Sequence, residues 1–256
     1  VIDECFQCKL CYVNCPYIPG QSEWELDFPR LMLRADAMRH TNDQVSLRDK
    51  VTTNVMGRTD LIGKVATTTA PLMNKMMGAK PGSLIRKAIE VTSGVSSERV
   101  LPPFAKQRFT TWFNRRPKLK LGKRQGRVAL FPTCLVEYQA PEVGHDLIKV
   151  YERNGIECSL ADTTQCCGAP FLHSGDIDNF TKIAEKNVKA LANTVRKGND
   201  IVVPQPTCGY VLKKDYLDYV GGPDAELVAA HTFDSSEYLM NLHKAEGTEL
   251  DTGFTG

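Results

Sequence analysis

The spacing of the cysteines constrains this chain more than any other feature. Nine cysteines occur in 256 residues, and eight of them fall into two groups. In the first, Cys5, Cys8, Cys11 and Cys15 are separated by two, two and three residues, and Pro16 follows. Thiols this close can wrap one inorganic cluster while backbone N–H groups of the intervening loop point at its sulfurs. An odd total argues against a simple disulfide framework. Thiolates that must stay reduced to hold metal point to the cytosol.

This run is the one found in bacterial ferredoxins, whose fourth cysteine serves the other cluster of a two-cluster protein. Cys5, Cys8 and Cys11 are therefore expected to bind one 4Fe–4S cluster and Cys15 a second. Each cluster then needs ligands from a matching run upstream of Val1, and a chain opening on Val1-Ile2-Asp3-Glu4 reads as a piece of a longer protein. That opening, with two acids and no apolar core, is no signal peptide. A zinc knuckle or buried free cysteines are the competing readings.

The second group is dispersed: Cys134, the adjacent pair Cys166-Cys167, and Cys208. Each follows a short apolar run that suits a buried strand: Val128-Ala129-Leu130-Phe131, then residues 156–160, then Ile201-Val202-Val203. Helical periodicity covers 142–153 and 177–196 between them, with further helices over 209–219 and 235–244. Strands alternating with helices of this length predict a parallel, Rossmann-like α/β sheet. Loops leaving the carboxyl ends of its strands share one edge, where such sheets place ligands. Cys134, Cys166, Cys167 and Cys208 are thus expected to converge on one metal site, with Gly168 and Gly209 allowing close backbone approach. Soft thiolates select iron–sulfur or zinc. Structural burial of the cysteine pair, or a transient disulfide across it, are the alternatives. Cys158, inside the second strand, reads as a small buried hydrophobe.

Three zones follow: a partial ferredoxin-type module over 1–40, a basic helical linker over 41–125, and a cysteine-rich α/β domain over 126–256. Prolines 71, 81, 102, 103 and 117 cut the middle zone into short helices. Its charge is segregated. Residues 50–127 hold 17 Lys and Arg against three acids, while the whole chain is only +2. Phe109, Trp112 and Phe113 share one helical face among Lys106, Arg108, Arg115 and Arg116. Residues 61–77 mix Leu61, Ile62, Val65, Leu72 and methionines with Lys64 and Lys75. Such faces suit an anionic membrane surface. They equally suit packing on the α/β domain with the lysines merely solvated. No nucleic-acid fold motif accompanies the basic zone, which argues against nucleic acid as a partner. No apolar run approaches the roughly 18–20 residues that span a bilayer. The five histidines are scattered without metal-ligand spacing relative to the cysteines. No phosphate loop or dinucleotide fingerprint is present, so a flavin or nicotinamide is expected on another subunit.

The pattern of Cys134, thirty-one residues, Cys166-Cys167-Gly168, and Cys208 with forty residues between it and the pair resembles the cysteine-rich "CCG" domain. That domain is shared by the B subunit of heterodisulfide reductase and the C subunit of anaerobic glycerol-3-phosphate dehydrogenase. The chain is more similar to the second, through Thr59-Asp60-Leu61-Ile62-Gly63, residues 146–150 and Cys166-Cys167-Gly168-Ala169-Pro170. The resemblance implies an iron–sulfur electron-transfer subunit, peripheral on the cytoplasmic face of the membrane. It would link a flavin-containing dehydrogenase to membrane quinone and would not itself be the site of substrate oxidation. Two departures stand out. The family motif ends Cys-x-x-Cys, whereas Val211 stands where the last cysteine belongs. Four thiols suffice for a 4Fe–4S cubane or a zinc ion, but not for a five-cysteine cluster. Only one copy of the domain is present, and the chain stops at Thr252–Gly256, about where a second copy is expected to begin. A disulfide-type reductase working at the second cysteine group and a zinc-stabilised scaffold are the alternative functions.

Overall fold

The structure, a computed structural model, describes residues 2–117, 119, 122–163 and 166–251. The tail Thr252–Gly256, where a second domain copy is expected to begin, lies outside the described residues. The first cysteine run forms loops around one short helix, α1 (Leu10–Val13). Asp27 then caps α2 (Phe28–Thr41) by accepting the Arg30 N–H at 2.9 Å, with Pro29 in the first turn, where no amide donor is needed. The basic zone is broken as its prolines and caps predict, into α3 (Leu47–Gly57), α4 (Thr59–Thr68), α5 (Ala70–Met77), α6 (Leu84–Ser93) and α7 (Phe109–Arg115).

From Gly126 the chain alternates: β1 (Gly126–Leu130), α8 (Cys134–Tyr138), α9 (Pro141–Arg153), β2 (Ile156–Leu160), α10 (Ala169–His173), α11 (Ile177–Arg196) and β3 (Asp200–Val203). A continuous helical run follows as α12 (Pro206–Tyr210), a π-helical turn over Val211–Asp215, and α13 (Tyr216–Tyr219). It ends in α14 (Gly222–Ala230), β4 (Thr232–Asp234) and α15 (Ser235–Lys244). The strands pair in the order β2-β1-β3-β4, and every pairing is parallel.

The sheet is buried on both faces, as a parallel sheet must be. Ala129, Phe131, Ile201 and Val203 point into one apolar cluster with α10 to α14. Val128, Leu130 and Val202 point into another with Phe109, Ile148, Tyr151 and Tyr238. This is the period-two alternation of a strand read against helices on either side. Cys158 is half-buried and packs against the second cluster, as a small hydrophobe would.

The middle zone lies against this domain. Phe109 and Phe113 are buried, and Arg116 pairs with Glu152 at 2.5 Å while stacking on the Phe113 ring. The face expected to meet lipid through Phe109, Trp112 and Phe113 therefore packs on α9, and the core-packing alternative holds there. Buried Glu137 anchors the start of α7, accepting the Thr110 N–H at 3.0 Å and its hydroxyl at 2.6 Å. Arg86 is fully buried, its guanidinium spent on the carbonyls of Met77, Ser96, Ser97 and Arg99. Leu61, Val65, Leu72 and Met76 remain exposed. Among the described residues no helix is long and apolar enough to cross a membrane.

Candidate metal centre

The chain runs outward from β1 to β2, returns across the sheet to β3, and then reaches β4. The point where it reverses lies between β1 and β3, and an open parallel sheet leaves a crevice there at the strands' carboxyl ends. Three connections leave at that edge, and each carries part of the second cysteine group. Cys134 is the first residue of α8, just beyond β1. Cys166 and Cys167 close the loop after β2. Cys208 sits in the first turn of α12, after β3. The last placement differs from the loop expected around Cys208 and Gly209. Pro206 starts the helix three residues earlier than periodicity suggests, because a proline ring suits a first helical turn.

All four cysteines line one cavity of about 630 Å³, together with Thr53, Met56, Thr59, Gln205 and His173. The sulfurs of Cys167 and Cys208 are 3.3 Å apart. Cys166, Cys167 and Cys208 are buried and Cys134 is half-buried. Gly168 adopts a left-handed conformation (φ 90°), and a Cβ there would meet the Phe180 ring at 2.9 Å. Only glycine lets this turn close so tightly behind the pair. Its N–H points at the Cys166 sulfur, 3.5 Å away.

The cysteine pair is fixed from behind by buried polar groups. Asn187, on α11, donates to the Cys166 carbonyl at 2.9 Å and to the Tyr216 hydroxyl at 2.9 Å, and accepts from Thr163 at 2.7 Å. The Tyr216 hydroxyl in turn donates to the Cys167 carbonyl at 2.9 Å. Both side chains are fully buried, so each bond replaces one that water would otherwise make. Sequence reasoning did not single them out. A signal was present at Asn187, a polar residue at a core-facing position between Ala184 and Leu191 on α11.

The thiols share protons unequally. Hydrogen bonds from Cys134 and Cys167 hold the Cys166 thiol well below the ordinary range, aided by the Gly168 N–H and the Thr59 hydroxyl and opposed by burial. Donating to Cys166 and burial push Cys134 up. Cys167 is pushed up by its hydrogen bonds to Cys166 and Cys208 and by burial. Loading a metal would displace these protons, since thiolates are the ligands. Among the described residues no group of three or more His, Cys, Asp or Glu side chains is disposed to hold a single metal ion as it stands. The four thiols line a space without closing a shell around one point. As a donor set they fit an iron–sulfur cluster: four soft sulfurs gathered on one cavity, with glycine at the turn.

In the first group Cys8 and Cys11 are exposed, and Cys5 and Cys15 are half-buried. Phe6, Leu10 and Val13 are exposed around them. The run nevertheless touches the α/β domain. Lys9 lies between Cys8 and Cys11 with its Nζ 4.0 Å above the Tyr210 ring, two residues from Cys208. Arg30 pairs with Asp218, and a Cβ on Gly175 would strike the Asp36 carbonyl oxygen of α2 at 2.3 Å. Of the scattered histidines, His173 alone lines the cysteine cavity. Burial, with Lys9 nearby, lowers its pKa to about 4, which keeps its ring neutral.

Residues 128–213 match the family described as "Cysteine-rich domain" (CCG). The chain is homologous to the C subunit of anaerobic glycerol-3-phosphate dehydrogenase of Escherichia coli (strain K12), with 30% identity over 250 residues. That alignment takes in 84% of this chain and 62% of the relative, so the chain spans under two thirds of that protein's length. It is 34% identical over 123 residues to the B subunit of fumarate reductase (CoM/CoB) of Methanothermobacter marburgensis, covering 47% of this chain and 23% of the relative. Lactate utilization protein A of Geobacillus thermodenitrificans is 28% identical over 124 residues, 47% of this chain and 50% of its own. No solved structure matches the chain significantly.

Proposed function

Taking residues 128–213 as a cysteine-rich domain, we propose that this chain is an iron–sulfur electron-transfer subunit of an oxidoreductase complex. One observation carries the reading: Cys134, Cys166, Cys167 and Cys208, from three connections at one sheet edge, line a single cavity. When bound there, a 4Fe–4S cluster supplies a one-electron centre whose potential the protein can set. The residues present would serve it in distinct ways. The four thiolates hold it, while Asn187 and Tyr216 fix the carbonyls of the Cys166-Cys167 pair and so the directions of its sulfurs. The Gly168 N–H offers charge stabilisation to the Cys166 sulfur.

Residues 1–40 are read as part of a two-cluster ferredoxin module, with Cys5, Cys8 and Cys11 on one 4Fe–4S cluster and Cys15 on the other. A matching run elsewhere in the complete protein would complete both. The Lys9–Tyr210 contact supports an electron path from this run toward Cys208. Residues 126–256 are read as one copy of the cysteine-rich domain. The electron donor is a flavin-containing dehydrogenase subunit and the acceptor is membrane quinone, with the chain peripheral on the cytoplasmic face. Names of two relatives, subunits of a dehydrogenase and of a reductase, support a place in such a complex. Exposed Leu61, Val65, Leu72 and Met76 beside Lys64 and Lys75 support contact with an anionic membrane surface. The test is the full complex carrying Cys208→Ser. Quinone reduction stalls while dehydrogenase activity with an artificial acceptor persists. Unimpaired quinone reduction would contradict the assignment.

The 3.3 Å contact between Cys167 and Cys208 favours a second reading, a disulfide-type reductase. Joining those sulfurs would release two protons and pass two electrons to a disulfide acceptor. Thiol–disulfide turnover by the protein distinguishes this from electron transfer alone. A zinc-stabilised scaffold is distinguished by metal analysis, because a zinc ion needs every sulfur drawn in to about 2.3 Å.

A further inference from the structure

Resting on the cluster reading above, we infer that Thr59 sets the reduction potential of the centre held by Cys134, Cys166, Cys167 and Cys208, through a hydrogen bond from its hydroxyl to the Cys134 sulfur. Thr59 lies outside the cysteine-rich domain, in the zone that sequence alone presents as a linker. Its Oγ1 is nevertheless 2.8 Å from Cys134 Sγ, across a separation of 75 residues.

That placement is built by the residues on either side. Gly57 closes α3 against the Phe171 ring so tightly that a Cβ would sit 2.2 Å from it. Gly63, on α4, rests on the Tyr138 ring with a Cβ position 2.5 Å away. The Tyr138 hydroxyl then donates to the Asp60 carbonyl at 3.0 Å. Phe171 belongs to α10, which follows the Cys166-Cys167-Gly168 turn, and Tyr138 ends α8, which Cys134 begins. The corner between α3 and α4 is thus pinned, before and after Thr59, to α10, which the Cys166-Cys167 turn leads into, and to α8, which carries Cys134. The backbone that carries the hydroxyl is thereby held beside the sulfur.

The direction of the effect follows from the groups involved. As a thiolate ligand, Cys134 has lone pairs and no proton, so Thr59 must donate. A hydrogen bond to a ligand sulfur withdraws charge and favours the reduced, more negative state of the centre. Removing the donor lowers the potential.

Potentiometric titration of the anaerobically purified full-length protein, followed by electron paramagnetic resonance, tests this in wild type, Thr59→Val and Thr59→Ser. Valine keeps the shape without the donor, and serine keeps the donor. At fixed solution potential the oxidised-to-reduced ratio of the centre is expected to rise about tenfold in Thr59→Val, ~59 mV for a one-electron couple. Thr59→Ser stays near wild type, and the signals of the Cys5 run do not move. An unchanged potential in Thr59→Val with full iron content overturns the inference and leaves the cluster reading intact. Wild-type protein without iron at these four cysteines overturns both. Should the valine variant lose iron, Thr59→Ala is compared with Thr59→Ser, and equal potentials in that pair overturn the inference.

Discussion

Cys167 and Cys208 bring their sulfurs within 3.3 Å of each other although β1 runs between the two strands that precede them. Two inter-strand spacings, about 10 Å, are closed by a tight glycine turn on one side and an early helix start on the other. Cys134, leaving the strand in the middle, completes the lining of the cavity. The geometry asks the backbone of the Cys166-Cys167 pair to be held rigidly, and the predictions begin there.

Asn187→Leu should be among the most damaging substitutions away from the cysteines. It leaves the buried Cys166 carbonyl without its donor and removes the bonds that Asn187 makes with the Thr163 and Tyr216 hydroxyls. Each unsatisfied group costs about 1–3 kcal/mol. Tyr216→Phe removes two hydrogen bonds against the three lost with Asn187, and should cost less, about 1–2 kcal/mol. Thermal unfolding of both variants checks the order, and equal losses would contradict it.

Gly57→Ala and Gly63→Ala test whether the α3–α4 corner is part of the site. A methyl at either position meets an aromatic ring well inside contact distance. Forced overpacking of this kind costs about 1–3 kcal/mol. Both variants should lose stability and weaken the Thr59–Cys134 contact. A free linker would tolerate them without loss.

Much of this was legible in the sequence. The strand over 156–160 and the helices over 177–196 and 235–244 match their expected bounds, because apolar periodicity and caps such as Asp176 and Asp234 agree there. The parallel α/β class followed from the same alternation. The short α8 and α10 were not expected, since five residues are too few to display a period. Nor was β4, whose Thr-Phe-Asp is three residues long and stands only because it pairs with β3. Thr59 belongs to a stretch similar to the family, but nothing local says that it reaches Cys134. That contact depends on two glycines accepting rings from distant helices. The lipid-facing reading of Phe109, Trp112 and Phe113 failed because an amphipathic face looks the same whether it meets membrane or core.

Asp215 offers a pH test. It is buried on the π-helical turn, and its Oδ2 has no hydrogen-bond partner among the described residues. Burial pushes its pKa up to about 6, with Lys9 and Arg30 pulling the other way. The unfolded value is about 3.9. The folded state therefore holds the proton more tightly, and stability falls as pH rises from the unfolded value through the folded one. Asp215→Asn should raise the unfolding temperature at pH 8, by on the order of 2 kcal/mol in stability. The gain should shrink as pH falls to 5, and a gain independent of pH would contradict the assignment.

Flotation with vesicles tests the exposed face of α4 and α5. Binding to anionic vesicles at low salt should weaken as salt rises, because screening reaches a Debye length of about 10 Å near 0.1 M. Leu61→Ser with Leu72→Ser should weaken it further. Absence of binding at low salt removes the membrane from the account.

The central claim is that thiols from three connections hold inorganic iron together. The direct measurement is iron and acid-labile sulfide in full-length protein purified without oxygen, compared with its Cys134→Ser/Cys208→Ser variant. Wild type should contain both elements in equal amounts, and the variant should lose about four of each per chain. Identical contents in the two proteins, or zinc without sulfide in the wild type, would contradict it.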